Sequence, residues 1–239
     1  MYEMRRRVTY SQVGSNLKTD MAMLAHYFQD CTIFHSEAIG KGLGEVEHTH
    51  TAWFLSSWQI EVIRYPEFGE DITVRTWPHD FKGIYGYRNF DILDNAGQRI
   101  VKANSIWIFM DLEKMKPIKA AEGDIAGYDI EPAIDMEYAP RKIRLMDEEN
   151  RNKNIADAPI IVRKSFLDSN HHVNNGRYVA EAMDYLPDDV VFNRMRVDYR
   201  KAAVLGDEMY PAVYEKDNCC QAAFLDRDGN PFVIVEMLW

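Results

Sequence analysis

Two segments of the chain carry apolar residues at helical spacing. Met21, Leu24, Ala25 and Phe28 fall at i, i+3, i+4 and i+7, and Val179, Ala182, Met183 and Leu186 repeat that spacing. Each set predicts an amphipathic helix with one buried stripe. Thr19 or Asp20 stands where the first helix needs a cap, and Pro187, which has no amide hydrogen, stops the second. After the first helix the pattern changes to stretches rich in Trp, Tyr, Ile and Val: "AWFLSSWQIEVIRY", "DITVRTW", "YGYRNFDILD" and "RIVKANSIWIFM". These predict strands, and "DNAG" from Asp94 and "DRDG" from Asp226 read as hairpin turns with Gly where a positive φ is required.

The two halves repeat this order. "VTYSQVGSN" from Val8 aligns with "VRKSFLDSN" from Val162 at an offset of 154; "QIEVIRYPEFGED" aligns with "RVDYRKAAVLGDE", placing Gly69 on Gly206. "LDNAGQRIVKANSIW" aligns with "LDRDGNPFVIVEMLW", placing Gly97 on Gly229 and Trp107 on Trp239. A helix against a run of antiparallel strands, present twice, predicts an α+β fold in which each sheet wraps a central helix: a hotdog domain, and two in tandem a double hotdog. The expected organisation is an N-terminal hotdog over 1–115, a crossover linker over 116–154 and a C-terminal hotdog over 155–239, the linker being the stretch that lacks sustained periodicity and carries Pro, Gly and charge. Such a chain is expected to be a pseudo-dimeric monomer or a homodimer.

With 239 residues and 46% hydrophobic content the chain can bury a sizeable core. It has no run of eighteen apolar residues, and "MYEMRRRVTYSQ" is followed by no apolar signal region, so neither membrane insertion nor secretion is expected, and a cytoplasmic location follows. Cys31, Cys219 and Cys220 have no metal-ligand spacing and read as structural. A formal charge of -10 argues against nucleic acid as a partner. An acidic partner would need a local basic patch; the candidates are Arg5 to Arg7, then Arg141, Lys142 and Arg144, and then Arg194, Arg196, Arg200 and Lys201.

Chemistry concentrates in "DSNHHVNNGRY", Asp168 to Tyr178, at the start of the second helix. Two readings are open there. Asn174 or Asn175 is suited to cap the helix, which makes the stretch a capped polar turn. Alternatively, the free N–H groups and positive dipole end polarise a carbonyl, and His172, an imidazole just ahead of that terminus, acts as base or orienting donor, with Asp168 and Asn170 holding it or a water. The repeat favours the second. At the offset of 154, Asp168 faces Gly14, Asn170 faces Asn16 and His172 faces Lys18, so the first half lacks the acid and the imidazole.

These residues resemble the plant-type acyl-ACP thioesterases and their bacterial relatives. "DSNHHVNNGRY" is similar to that family's Asp-x-Asn-x-His-Val-Asn-Asn motif followed by Tyr, "RYPEFGE" to its Arg-Tyr-Pro-x-x-Gly-acid segment, and "NSIWIFMD" to its Ser-x-Trp-x-x-Met strand. The resemblance implies a double-hotdog hydrolase that releases fatty acid from acyl carrier protein by water attack, without cofactor or metal. Asp168, Asn170 and His172 match its catalytic residues. It departs from the family after "VDYR", where a basic residue is followed by Ala202 and Ala203 instead of Glu and, in plant members, Cys. No cysteine nucleophile is present at that position, and Asp198, Asp207 or Glu208 would have to replace the missing carboxylate. Met23 and Trp53, with other large residues around the first helix, are expected to line the acyl pocket. The alternatives are an acyl-CoA thioesterase and a non-catalytic fatty-acyl binding protein.

Overall fold

The computed structural model describes residues 1–153, 155, 158–187 and 190–239. The chain divides into two compact units, Met1–Ala139 and Pro140–Trp239, so the segment between the two helix-and-sheet patterns belongs partly to each.

In the first unit the strands β1 (Tyr2–Arg7), β2 (Thr51–Val62), β3 (Asp71–Lys82), β4 (Tyr85–Leu93) and β5 (Arg99–Asp111) form an antiparallel sheet in the order β1-β3-β4-β5-β2, and the short β6 (Lys116–Pro117) pairs with the end of β5. Helix α1 (Met21–Ala38) begins at Asp20, whose carboxylate accepts from the Met23 amide at 2.7 Å. Its stripe buries Met21, Leu24, Ala25, Phe28 and Cys31. Phe28 packs on Trp58 of β2 and Phe90 of β4, with ring centroids 5.8 and 5.0 Å away. Two shorter helices, α2 (Leu43–Thr49) and α3 (Glu122–Ile125), complete this unit.

In the second unit β7 (Ile160–Ile161), β8 (Arg194–Tyr199), β9 (Glu208–Lys216), β10 (Cys219–Leu225) and β11 (Pro231–Leu238) are ordered β8-β11-β10-β9-β7. Helix α4 (Asn175–Met183) is capped by Asn174, whose side chain accepts from the Gly176 amide at 2.9 Å. Leu186 lies past the helix end, in the turn closed by its amide on the Met183 carbonyl, and is still buried.

The repeat read from the sequence exists in the backbone. Val8 donates to Glu70 and accepts from Gly69; Val162 donates to Asp207 and accepts from Gly206. Gly14 donates to Lys18 as Asp168 does to His172, and Thr19 donates to Pro66 as Val173 does to Ala203. Leu17 and His171 occupy matching positions with φ of 59° and 60°, left-handed conformations that non-glycine residues seldom adopt. At the hairpins Gly97 and Gly229 have φ of 77° and 80°, as their turns require, and Asp94 and Asp226 each accept from the amides two and four residues on.

Residues 130–146, which form no helix or strand, are held by buried polar side chains of the sheets. In the first unit Asn89 accepts from the Ile134 amide at 3.0 Å, Gln59 bonds Glu137 and Ala139, and the Trp77 indole donates to Pro132 at 3.0 Å. In the second, Asp198 accepts from Ile143, Gln221 bonds Arg144 and Met146, and Arg200 donates to the Ile143 carbonyl. An irregular segment has no ladder to satisfy its amides, so the sheets supply partners through side chains on the strands.

Candidate active site

The loop before α4 is built around one carboxylate. Asp168 Oδ1 accepts from the Asn170 amide at 2.8 Å and from the His172 amide at 3.3 Å, while the Asp168 amide donates to the His172 carbonyl at 2.8 Å. The His171 amide returns to the Asp168 carbonyl at 3.1 Å. Asp168 therefore brings Asn170 and His172 together by gripping their backbones. The loop is anchored on both sides: Asn174 donates to Phe166, Val173 donates to Ala203, and a bridge pairs His172 with Val204. Asn170 is exposed, His172 half-buried and Val173 buried, so the loop shows its polar residues to solvent next to a helix N-terminus.

Tyr178, the last residue of the motif, is given no role by the sequence. From the first turn of α4 its hydroxyl accepts from the Ala203 amide at 2.9 Å. Burial pushes its pKa up to about 12, with Asp207 and Asp168 adding to the effect, so it stays protonated. Its own hydrogen is given to no described residue, leaving a buried donor beside the loop. The signal was present as the final Tyr of the motif, but only the packing against Ala203 distinguishes it from a core tyrosine.

The first-half counterpart of this loop has the same backbone bonds and different chemistry. Asn16 Oδ1 accepts from the Lys18 amide at 3.0 Å, and the Lys18 ammonium pairs with Glu67 at 3.4 Å.

The three carboxylates considered as replacements for the missing glutamate are committed elsewhere. Asp198 is buried and bonded to Arg200 at 2.9 Å and to Ile143; Asp207 accepts from the Val204 amide at 2.9 Å within its own turn. Glu208 is held by Arg227 at 2.7 and 2.9 Å and by the Tyr210 hydroxyl. Ala202 is exposed and Ala203 buried. In the candidate basic group of Arg194, Arg196, Arg200 and Lys201 three members are likewise engaged: Arg196 on Glu236 and Pro140, Arg200 on Asp198 and Ile143, Lys201 on Asp226. Arg5 to Arg7 lie on edge strand β1, where Arg6 covers the Tyr27 ring at 4.0 Å.

Met23 and Trp53 are not brought together. Met23 is half-buried in the first turn of α1. Trp53 stacks on Phe81 and Phe109 at 5.6 and 4.8 Å, and Phe81 meets Tyr128, whose hydroxyl reaches Ser36 near the other end of α1. Thirteen residues of helix, about 20 Å at 1.5 Å per residue, separate the two ends. All three cysteines are free, and burial pushes Cys31, Cys219 and Cys220 up to about 12, 11 and 12, so none supplies a thiolate near neutral pH. Among the described residues no cluster of metal-ligating side chains forms, and no helix is long and apolar enough to cross a membrane.

The structure is similar over nearly its whole length to an acyl-ACP thioesterase from Bacteroides thetaiotaomicron, with 23% identity, 99% of this chain and 96% of that one covered, and a TM-score of 0.87. It is also similar to the 12:0-ACP thioesterase from Umbellularia californica, with 19% identity, 99% and 96% covered, and a TM-score of 0.84. These likenesses establish the double-hotdog α+β fold. In sequence the chain is 22% identical over 213 residues to oleoyl-acyl carrier protein thioesterase 1, chloroplastic, from Arabidopsis thaliana, covering 80% of this chain and 57% of that protein. The chain spans about half the length of the curated relatives it matches. The family model for the acyl-ACP thioesterase N-terminal domain matches residues 1–128 and that for the C-terminal domain residues 149–236, and by these two matches the chain belongs to the acyl-ACP thioesterase family.

Proposed function

We propose that this protein is a thioester hydrolase that releases free fatty acid from acyl carrier protein. The observation that carries the reading is the duplicated loop: one set of backbone hydrogen bonds occurs in both halves, and only the second copy carries Asp168, Asn170 and His172. Water adds to the thioester carbonyl carbon with His172 taking its proton. The oxyanion is held by Asn170 and the donors at the N-terminus of α4, with Tyr178 as an additional donor. Collapse breaks the C–S bond, and the proton passes to the departing thiolate of the carrier. Asp168 acts as a positioning residue through the loop.

The first unit takes the acyl chain, with Met23 and Trp53 at different depths along α1. The carrier, an acidic protein, docks on Arg163 and Lys164. Both are exposed, free of ion pairs among the described residues, and a few residues ahead of Asp168. A cytoplasmic location agrees with three free thiols.

Purified protein incubated with acyl carrier proteins of graded chain length should release fatty acid above a His172→Ala control; no release would sink the proposal. The engagement of Asp198, Asp207 and Glu208 by other partners favours one other reading, a fatty-acyl binding protein, which the same assay would reveal as stoichiometric binding without release. Equal or faster turnover of the matching CoA thioester would move the substrate class to acyl-CoA.

A further inference from the structure

One row on the α1-facing side of the first sheet combines a buried cation with a buried indole. Trp58 on β2 and Arg88 on β4 are both register partners of Ser105 on the strand between them, so the three side chains share one face. That face looks at the helix, because Trp58 packs on Phe28 and Arg88 hydrogen-bonds His35, both on α1.

Arg88 is 6% exposed and pairs with no carboxylate among the described residues. Its Nη1 bonds His35 Nδ1 at 2.9 Å and the Thr76 hydroxyl at 3.1 Å, its guanidinium lies 5.3 Å from the centre of the Tyr128 ring, and Nε and Nη2 bond no described residue. Asp91, three residues on along β4, is committed to Arg75 and Arg99. Burial pulls Arg88 down to about 10, which leaves it cationic at neutral pH. His35 is held to about 4, first by burial and then by Arg88, so it is a neutral acceptor that supplies no negative charge. A buried cation whose contacts among the described residues, His35, Thr76 and the Tyr128 ring, are all neutral is costly, and in native proteins such a charge is paired. The second anomaly lies in the same row: Trp58, 2% exposed, has a buried indole N–H with no partner among the described residues. Between the two stands Ser105, a small side chain whose hydroxyl already accepts from the Trp107 indole at 2.7 Å.

We propose that this row is a binding site for a carboxylate carried on an alkyl chain, with Arg88 as the anchoring cation and the Trp58 N–H as a further donor. The proposal rests on the reading that the first unit receives the acyl chain. The carboxylate has two sources: the far end of an acyl group that is itself a dicarboxylic acid, or a free fatty acid entering head first as an inhibitor.

The test has a binding arm that needs no turnover and a hydrolysis arm that separates the sources. In the first, dodecanoate, dodecanedioate and 1-dodecanol are titrated against the full chain by calorimetry and by Tm. The carboxylates should bind at least tenfold more tightly than the alcohol, and Arg88→Met should remove that preference. In the second, carrier proteins bearing a plain twelve-carbon acyl group and one ending in a carboxylate are compared. A preference for the carboxylate-ended substrate, lost in Arg88→Met, assigns the site to the substrate. Inhibition by dodecanoate, relieved in Arg88→Met without such a preference, assigns it to free fatty acid. Should Arg88→Met fail to fold, Trp58→Phe keeps an aromatic ring, though a smaller one, and removes the N–H, and should weaken carboxylates several-fold relative to the alcohol. Binding that ignores the carboxylate, or that survives the folded variants unchanged, overturns the proposal. A protein that binds carboxylates through Arg88 but hydrolyses nothing would leave this site standing and remove the proposed function alone.

Discussion

Replacing Asp168 by alanine and by asparagine separates a residue that builds the loop from one that takes part in the chemistry. Alanine removes the 2.8 Å and 3.3 Å hydrogen bonds to Asn170 and His172. Bonds to a charged acceptor are worth about 1.5–3 kcal/mol, but the longer one is weak and Asp168 is half-exposed, so the loss should total about 1–2 kcal/mol. In a chain of this size each kcal/mol moves Tm by about 2–4 °C, which gives a drop of about 2–8 °C. A loosened loop misplaces His172, and kcat should fall about 10²-fold. Asparagine keeps the Oδ1 acceptor. An amide oxygen also serves as a loop acceptor in the first half, where Asn16, at the position of Asn170, accepts from the Lys18 amide. Asp168→Asn should therefore melt within about 2 °C of the parent and retain kcat within about tenfold. Calorimetry and steady-state release of fatty acid measure both. An Asp168→Asn protein with native Tm and a kcat as low as that of Asp168→Ala would refute the reasoning, because the charge itself would then be required.

Asn174→Ala and Asp20→Ala each remove a helix cap worth about 1 kcal/mol, and both should lower Tm, but only Asn174→Ala should also lower kcat. Trp53→Leu should lengthen the preferred acyl chain, read by product profiling, whereas Gly86→Ala, whose added carbon would lie 3.0 Å from the Trp53 ring, should destabilise by about 1–3 kcal/mol. His35, held at about 4 in the folded protein, favours the neutral imidazole there, while the unfolded chain takes up the proton below about 6.5. Stability should thus fall as pH drops from about 6.5 toward 4, by up to about 3 kcal/mol for this residue, and urea melts of His35→Gln should show a flatter slope over that window. Reversing Arg163 and Lys164 to Glu should raise KM for acyl carrier protein most at low salt, whereas Arg200→Glu, which loses Asp198 and Ile143, should lower Tm instead.

Local pattern alone determined the two helices, the long strands and the hairpins at Gly97 and Gly229, because each depends on a face to be buried or on a backbone angle within a few residues; it narrowed each cap to two neighbours, between which the structure chose Asp20 and Asn174. The internal repeat was legible for the same reason, and with it the unequal chemistry of the two loops. Strand β1 was read only as basic charge, since an edge strand with alternating exposure needs β3 to identify it. Residues 130–146 show no periodicity because their hydrogen bonds go to Asn89, Gln59, Asp198 and Gln221, which are distant in sequence. The partners of charges were equally invisible. Composition displays Arg196, Arg200, Lys201 and Glu208 as free ions, and only the folded chain pairs them; it displays Arg88 as one more surface cation, and only the folded chain buries it without a counter-charge. Periodicity is a property of one segment, but which polar atom meets which is a property of strands aligned across the sheet, and that is where tertiary structure made the decision.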